Sequence, residues 1–195
     1  MKRLFDIAIA TFMLFMATPL LVTLAILIYV VDGRPVLFRH RRVGLNGKPF
    51  YLIKFRTMRA EGNRGPQITS EHDSRITRLG QFLRRYKLDE LPQIFNVLCG
   101  DMAVVGPRPE VQEYVELFPQ EYREILTVKP GITDPASLKY RDEQVLLASV
   151  DDPENYYLEN VLPAKLAISL DYIKHQSIAL DVGIIMATCR SIVRI

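Results

Sequence analysis

The chain is poor in the residues that build disulfides and metal centres: two cysteines, Cys99 and Cys189, stand far apart and outside any C-x-x-C spacing, and three histidines, His40, His72 and His175, are scattered. That disfavours a disulfide scaffold and a cysteine zinc site. H-E-x-x-H, a Walker A loop and G-x-G-x-x-G are all missing, so zinc hydrolase, P-loop and dinucleotide-binding readings lose their usual motifs. No D-x-D occurs, which disfavours a classical metal-dependent sugar transfer site. What remains is a chain of 195 residues, 24% charged and 49% hydrophobic, long enough for one domain with its own core and too apolar for disorder.

The net charge of +3 hides an asymmetry. Residues 1–32 carry two basic and two acidic side chains, residues 33–87 fourteen basic against three acidic, and residues 88–195 nine against seventeen. A basic block of this density usually meets phosphate, on lipid head groups, nucleic acid or a phosphorylated substrate. A solvated basic face is the plainer alternative.

From Ile7 to Val31 the chain carries no charge. As a helix, such a run reaches ~37 Å, beyond the ~30 Å hydrocarbon core of a bilayer. Pro19, after Thr18, sits at its midpoint and lacks the N–H that a helical ladder needs, so two leaflet-length arms are expected. Lys2 and Arg3 precede the run and Arg34, Arg39, Arg41 and Arg42 follow it, and both flanks therefore ask for the cytoplasmic side. A re-entrant hairpin with its break at Thr18-Pro19 satisfies both, the Thr18 hydroxyl and local backbone meeting the freed carbonyls. A spanning helix is the alternative; a cleaved signal peptide is disfavoured by the length of the run.

Beyond this anchor, Val36–Val43 and Phe50–Phe55 read as strands of a hairpin around Gly44-Leu45-Asn46-Gly47. Residues 60–74 read as a loop, in which His72 beside Asp73 is taken as a solvated histidine. Ile76, Leu79, Phe82 and Leu83 mark one face of a helix whose other face carries Arg75, Arg78 and Arg85. Pro163 suits a helix start, and Asp181–Ile195 combines apolar residues with Arg190 and Arg194, as a helix in a membrane interface or an ordinary core helix does. Tyr140, Tyr156 and Tyr157 are aromatics that a base or sugar ring can stack on, although core or surface packing is the simpler reading.

The chemistry concentrates in residues 84–109. Pro92 suits the first turn of a helix and Gly100 its cap, which places Asp89-Glu90 at the helix start, where acidic residues are commonly no more than caps. Here, however, Arg84, Arg85 and Lys87 lie just upstream, and Gly106-Pro107-Arg108-Pro109 holds an arginine in a proline-stiffened turn. A carboxylate among cations can attack phosphorus while the cations and a Mg²⁺ neutralise phosphate oxygens, and an adjacent carboxylate can divide the metal and proton work. A surface built only to hold anionic lipid gains nothing from carboxylates inside a cationic patch. A nucleic-acid module has no recognition motif here and sits poorly with an apolar anchor.

In order along the chain, Lys54-Phe55-Arg56-Thr57-Met58, Leu88-Asp89-Glu90-Leu91-Pro92-Gln93, Asn96-Val97-Leu98, Gly100-Asp101-Met102, Val105-Gly106-Pro107-Arg108-Pro109 and Lys129-Pro130-Gly131-Ile132-Thr133 resemble the bacterial sugar transferase family, the monotopic phosphoglycosyl transferases. The resemblance covers nearly the whole chain and suggests the small catalytic-unit type. It implies transfer of a sugar-1-phosphate from a UDP-sugar donor to a polyprenol phosphate such as undecaprenyl phosphate, with release of UMP, as a first membrane step of bacterial glycan assembly. It further implies a ping-pong mechanism in which Asp89 is the nucleophile and Mg²⁺ ligand, Glu90 its dyad partner, and Arg84, Arg108 and Arg141 the cations at the phosphates and nucleotide. The implied setting is the cytoplasmic face of the bacterial inner membrane, with downstream glycosyltransferases as later partners and no nucleic acid.

The fold expected is α+β, helix-rich and monotopic, with residues 1–32 a re-entrant broken helix and residues 33–195 a cytoplasmic-face catalytic domain with a small β-hairpin and interfacial amphipathic helices. Three departures from the family pattern stand out: Thr18-Pro19 replaces the more familiar Ser-Pro, Ala103 stands where Ser is frequent, and Thr133-Asp134-Pro135-Ala136-Ser137 replaces the Gly-Trp-Ala sequence of hexose-using members. The last points to another sugar.

Overall fold

The computed structural model describes residues 1–59 and 73–193. The fold is α+β and rich in helix, with two small sheets among the described residues. Helix α1 (Lys2–Val31) is followed by strands β1 (Leu37–Val43) and β2 (Pro49–Phe55), then α2 (Arg78–Arg85), α3 (Gln93–Cys99), β3 (Ala103–Val105), α4 (Gln112–Leu117) and α5 (Pro119–Ile125). Strand β4 (Gly131–Thr133) precedes α6 (Pro135–Lys139), α7 (Glu143–Ala148), α8 (Pro153–Tyr156), α9 (Leu162–Lys174) and α10 (Ile178–Val193).

Strands β1 and β2 pair antiparallel with Leu37 opposite Phe55 and Val43 opposite Pro49. The reversal between them places Asn46 at φ 55° and Gly47 at φ 74°, the left-handed backbone that Asn and Gly tolerate best. The second sheet, β3 with β4, is parallel. It depends on a glycine crossing: a Cβ on Gly131 would lie 2.1 Å from the backbone nitrogen of Gly106. Hydrogen bonds from Gly131 N–H to the Pro107 carbonyl at 2.9 Å and from Gly106 N–H to the Thr133 carbonyl at 3.1 Å fix the base of the Pro-Arg-Pro turn.

Helix α1 is long and apolar enough to cross a membrane, and little of it is buried. Its inward residues are shared between two cores: Ala10 packs with Ile94, Val97, Val105 and Ile184, whereas Leu21, Leu24 and Ile28 pack with Phe55 and Leu83. Phe12, Phe15, Met16, Val22, Ile26 and Val30 face outward. Both ends are tied to the same body. Lys2 Nζ donates to the Val105 carbonyl at 3.0 Å and to Asp181 Oδ2 at 2.5 Å, and the Asp6 carboxylate accepts the Val104 N–H at 3.0 Å. At the other end the Arg56 guanidinium donates to the carbonyls of Asp32, Gly33 and Arg34 at 2.5, 2.9 and 2.6 Å.

Helix α1 runs as one helical element through Thr18 and Pro19, the position at which the re-entrant break is expected. The Thr18 hydroxyl donates to the Leu14 carbonyl at 2.7 Å, and the Thr23 hydroxyl to the carbonyl of Pro19 itself at 2.8 Å. Packing on both sides of Pro19 holds the helix through the residue that lacks a donor.

Two expectations change. Asp89-Glu90 lies not at the start of α3 but in its own 3₁₀ turn, Leu88–Glu90, set up by Lys87 at φ 55° and separated from α3 by Leu91 and Pro92. On α2, Leu83 is fully buried but Phe82 is half exposed, so the inward face is narrower than its apolar spacing suggested. His72 and most of the expected loop lie outside the described residues. Pro163 does sit in the first turn of α9, and the C-terminal segment is helical, with Ile184 inward and Val182 and Met186 outward.

Candidate active site

Four separate elements deliver charge to one cavity of about 370 Å³. Lys54 comes from the end of β2, Arg84 from the last turn of α2, Asp89 and Glu90 from the 3₁₀ turn, and Arg108 from the proline-flanked turn after β3; Arg141, just before α7, lines the same space. All the residues singled out from the sequence as catalytic or phosphate-binding are therefore brought together. Thr18 and Pro19, by contrast, are not among the residues lining it.

Local packing explains the placements. A Cβ on Gly80 would lie 2.1 Å from the Thr57 carbonyl oxygen, so glycine lets α2 lie directly on the end of the hairpin. That contact carries Arg84 inward, where its Nε donates to the Thr57 hydroxyl at 2.8 Å. The turn bearing Arg108 is held from the other side, because Arg42 donates to Glu110 Oε2 at 3.0 Å and the Tyr157 hydroxyl to Glu110 Oε1 at 2.9 Å.

The two adjacent carboxylates differ in partners. Glu90 accepts both Arg108 Nη2, at 2.6 Å, and Nη1, at 3.4 Å. Burial works to raise its carboxyl, but the Arg108 charge and hydrogen bond prevail and hold it at about 2. Asp89 accepts no hydrogen bond among the described residues. Its burial, reinforced by the neighbouring Glu90 charge, pushes its carboxyl up to about 6 against the opposing pull of Lys54, Arg84 and Lys87. Lys54 is lowered to about 8, again chiefly by burial, with Asp89 pulling the other way.

In the sequence Lys54 stands inside a motif without an assigned role, Arg42 counts only as a basic flank of the apolar run, and Lys165, Glu143 and Glu110 carry no signal of their own. Lys54 is flanked by Ile53 and Phe55 in a strand, and that context could have flagged an inward-pulled lysine. The other four are separated by up to 123 positions in the chain, and no local spacing connects them. Tyr140 and Tyr157 also line the cavity, Tyr157 as a buried residue, whereas Tyr156 is only partly packed. Ala103 is buried in β3 and brings no polar group.

Among the described residues no group of three or more His, Cys, Asp or Glu side chains is arranged to hold a metal ion. Mg²⁺ needs only one or two protein carboxylates when phosphate oxygens and water complete its shell. Asp89, in the cavity and uncommitted, fits that requirement, while Glu90 is taken by Arg108.

A buried carboxylate with a raised pKa beside a second one neutralised by arginine, in a cavity lined with lysine and arginine, is an arrangement that can receive a phosphate and act on it. The chain belongs to the bacterial sugar transferase family, whose model matches residues 1–195. It is 39% identical over 193 residues to a UDP-glucose:undecaprenyl-phosphate glucose-1-phosphate transferase of Xanthomonas campestris pv. campestris, a match covering 96% of this chain and 37% of that protein. A UDP-N-acetylgalactosamine-undecaprenyl-phosphate N-acetylgalactosaminephosphotransferase of Aeromonas hydrophila is 36% identical over 197 residues, with 98% and 43% covered. A UDP-glucose:undecaprenyl-phosphate glucose-1-phosphate transferase of Caulobacter vibrioides is 34% identical over 196 residues, with 98% and 69% covered. The chain thus spans about two fifths of the length of the first two of these relatives.

Proposed function

We propose that the protein is a phosphoglycosyl transferase that moves a sugar-1-phosphate from a UDP-sugar to undecaprenyl or a related polyprenol phosphate, releasing UMP. The observation that carries this reading is the uncommitted, buried Asp89 among Lys54, Arg84 and Arg108 in one cavity; the relatives' names agree with it. An Asp89 oxygen attacks the phosphorus that bears the sugar, the bond from that phosphorus to the bridging oxygen breaks, and UMP leaves with that oxygen. An oxygen of the lipid phosphate then attacks the same phosphorus and expels the Asp89 carboxylate, so that the lipid carries a diphosphate-linked sugar.

Arg84, Arg108 and Arg141 hold phosphate oxygens and orient the nucleotide. Glu90, kept ionised by Arg108, fixes that arginine and supports the attack. Asp89 is also the chain's ligand for Mg²⁺, which when bound neutralises charge on the diphosphate. Screening UDP-sugars for UMP release, with and without polyprenol phosphate and with Mg²⁺ or excess chelator, tests this reading. Absence of release under every condition contradicts it, and full activity in chelator contradicts the metal.

The same reading assigns residues 1–32 to a membrane anchor and residues 33–195 to a catalytic domain at the cytoplasmic face of the bacterial inner membrane, with α10 at the interface. Both ends of α1 are bonded to one polar body, at Lys2 and at Asp32, and a helix spanning the bilayer would need that body on both faces at once. The Lys2 and Arg34 flanks point the same way. Cysteines placed near residues 1 and 34 are expected to label from the cytoplasmic side only; labelling from opposite sides contradicts the re-entrant arrangement.

A further inference from the structure

The cavity that holds the dyad has a second charged feature which the phosphate chemistry does not use. Lys165, on α9, is buried, and its Nζ donates to Glu143 Oε2, on α7, at 2.6 Å. The same ammonium lies 5.4 Å from the centre of the Tyr157 ring. Tyr157 is itself fixed, through its hydroxyl, to the Glu110 carboxylate that Arg42 holds. It begins a single π-helical turn, Tyr157–Val161, inserted ahead of α9, a distortion found often at functional sites.

The pair is neutral as a unit, so it adds nothing to the attraction of a diphosphate, unlike Lys54, Arg84 and Arg108. It is not saturated either. The Lys165–Glu143 hydrogen bond uses one of three ammonium donors and one of two carboxylate oxygens, and among the described residues neither side chain makes another hydrogen bond. A cavity wall that offers donors and an acceptor together, beside an aromatic ring, suits a neutral ligand carrying adjacent hydroxyls, each of which can give one hydrogen bond and take another. Resting on the transferase reading above, we infer that Lys165 and Glu143 form the surface that reads the hydroxyls of the sugar being transferred, and so set which UDP-sugar is used. The pair lies outside the Thr133–Ser137 stretch in which the sequence departs from hexose-using members.

The test compares the full-length membrane protein with the double variant Glu143→Gln/Lys165→Met and with the charge-swapped Glu143→Lys/Lys165→Glu. Neither change alters net charge, and neither leaves a single buried ion without a partner. UMP release is measured for UDP-glucose, UDP-galactose, UDP-N-acetylglucosamine and UDP-N-acetylgalactosamine, alongside the affinity for UDP, which carries no sugar. The wild type is expected to prefer one donor, and both variants to compress that preference in kcat/KM by roughly tenfold or more, as loss of a charged hydrogen bond does. Affinity for UDP is expected to stay within about twofold, the size of an effect that no lost hydrogen bond accounts for. Variants that keep the wild-type ratios of kcat/KM among the four donors overturn the inference, as does a loss of UDP affinity equal to the loss for the UDP-sugar, which would assign the pair to the nucleotide. A folded wild type that releases UMP from none of these four donors and from no other UDP-sugar of the wider screen contradicts the transfer reaction itself, and with it this inference.

Discussion

At the base of α1, Asp181 gives one oxygen to Lys2 at 2.5 Å and the other to the Tyr172 hydroxyl at 2.6 Å, and that hydroxyl in turn accepts from Gln176 at 2.9 Å. In the cavity, Asp89 is buried to a similar degree yet accepts no hydrogen bond among the described residues. Both carboxylates sit near cations. The first is saturated and joins α1, β3, α9 and α10, while the second has cations close by and no bond to any of them. A buried charge held for stability takes all the partners it can reach, whereas one held for chemistry is left available, at a cost to the fold.

This contrast predicts opposite outcomes for one kind of substitution. Asp89→Asn is expected to lower UMP release by at least ~10³-fold, because the amide keeps the shape but is too weak a nucleophile. The same change is expected to stabilise the fold. Folding raises the Asp89 carboxyl to about 6, so the folded state binds its proton more tightly than the unfolded chain. The resulting stability is present at low pH and lost as pH rises through about 6. Above that pH, Asp89→Asn is expected to gain about 1–3 kcal/mol in denaturant unfolding, a gain that vanishes below about pH 4. Asp181→Asn is expected to do the reverse, costing about 3 kcal/mol in the same measurement while turnover per folded molecule stays near wild type. Equal effects of the two substitutions on stability would erase the distinction.

Smaller effects sharpen it. Arg108→Ala strips Glu90 of its bidentate partner and is expected to cost turnover on the order of 1–3 kcal/mol, read as a fall in kcat/KM; an unaffected enzyme would make the Pro-Arg-Pro turn purely structural. The pH profile of kcat/KM is expected to rise through about 6 as Asp89 ionises and to fall above about 8 as Lys54 loses its charge. Lys54→Arg is expected to remove the alkaline limb and leave the acid limb in place.

Much of this was legible in the sequence where the signal is local. The Asn-Gly pair fixed the hairpin reversal, Pro163 the start of α9, and the Asp-Glu pair with its flanking arginines the centre of the cavity. What escaped was set by packing. Phe82 fits the apolar spacing of α2 yet stands half exposed beside Tyr86, while Leu83 takes the inward place with Phe55. The Lys165–Glu143 pair brings together residues from two helices, and charge spacing along a chain carries no information about such a meeting.

The central claim, that Asp89 is left unbonded because it forms a covalent bond in turnover, is tested most directly by intact-mass measurement. Wild-type protein incubated with its UDP-sugar and Mg²⁺, without lipid acceptor, is expected to release UMP up to one equivalent and gain the mass of a phosphosugar, mapped by peptide analysis to Asp89. Asp89→Asn is expected to show neither signal. An adduct on another residue, or an active enzyme that releases UMP only when lipid phosphate is present and never gains mass, would contradict the account.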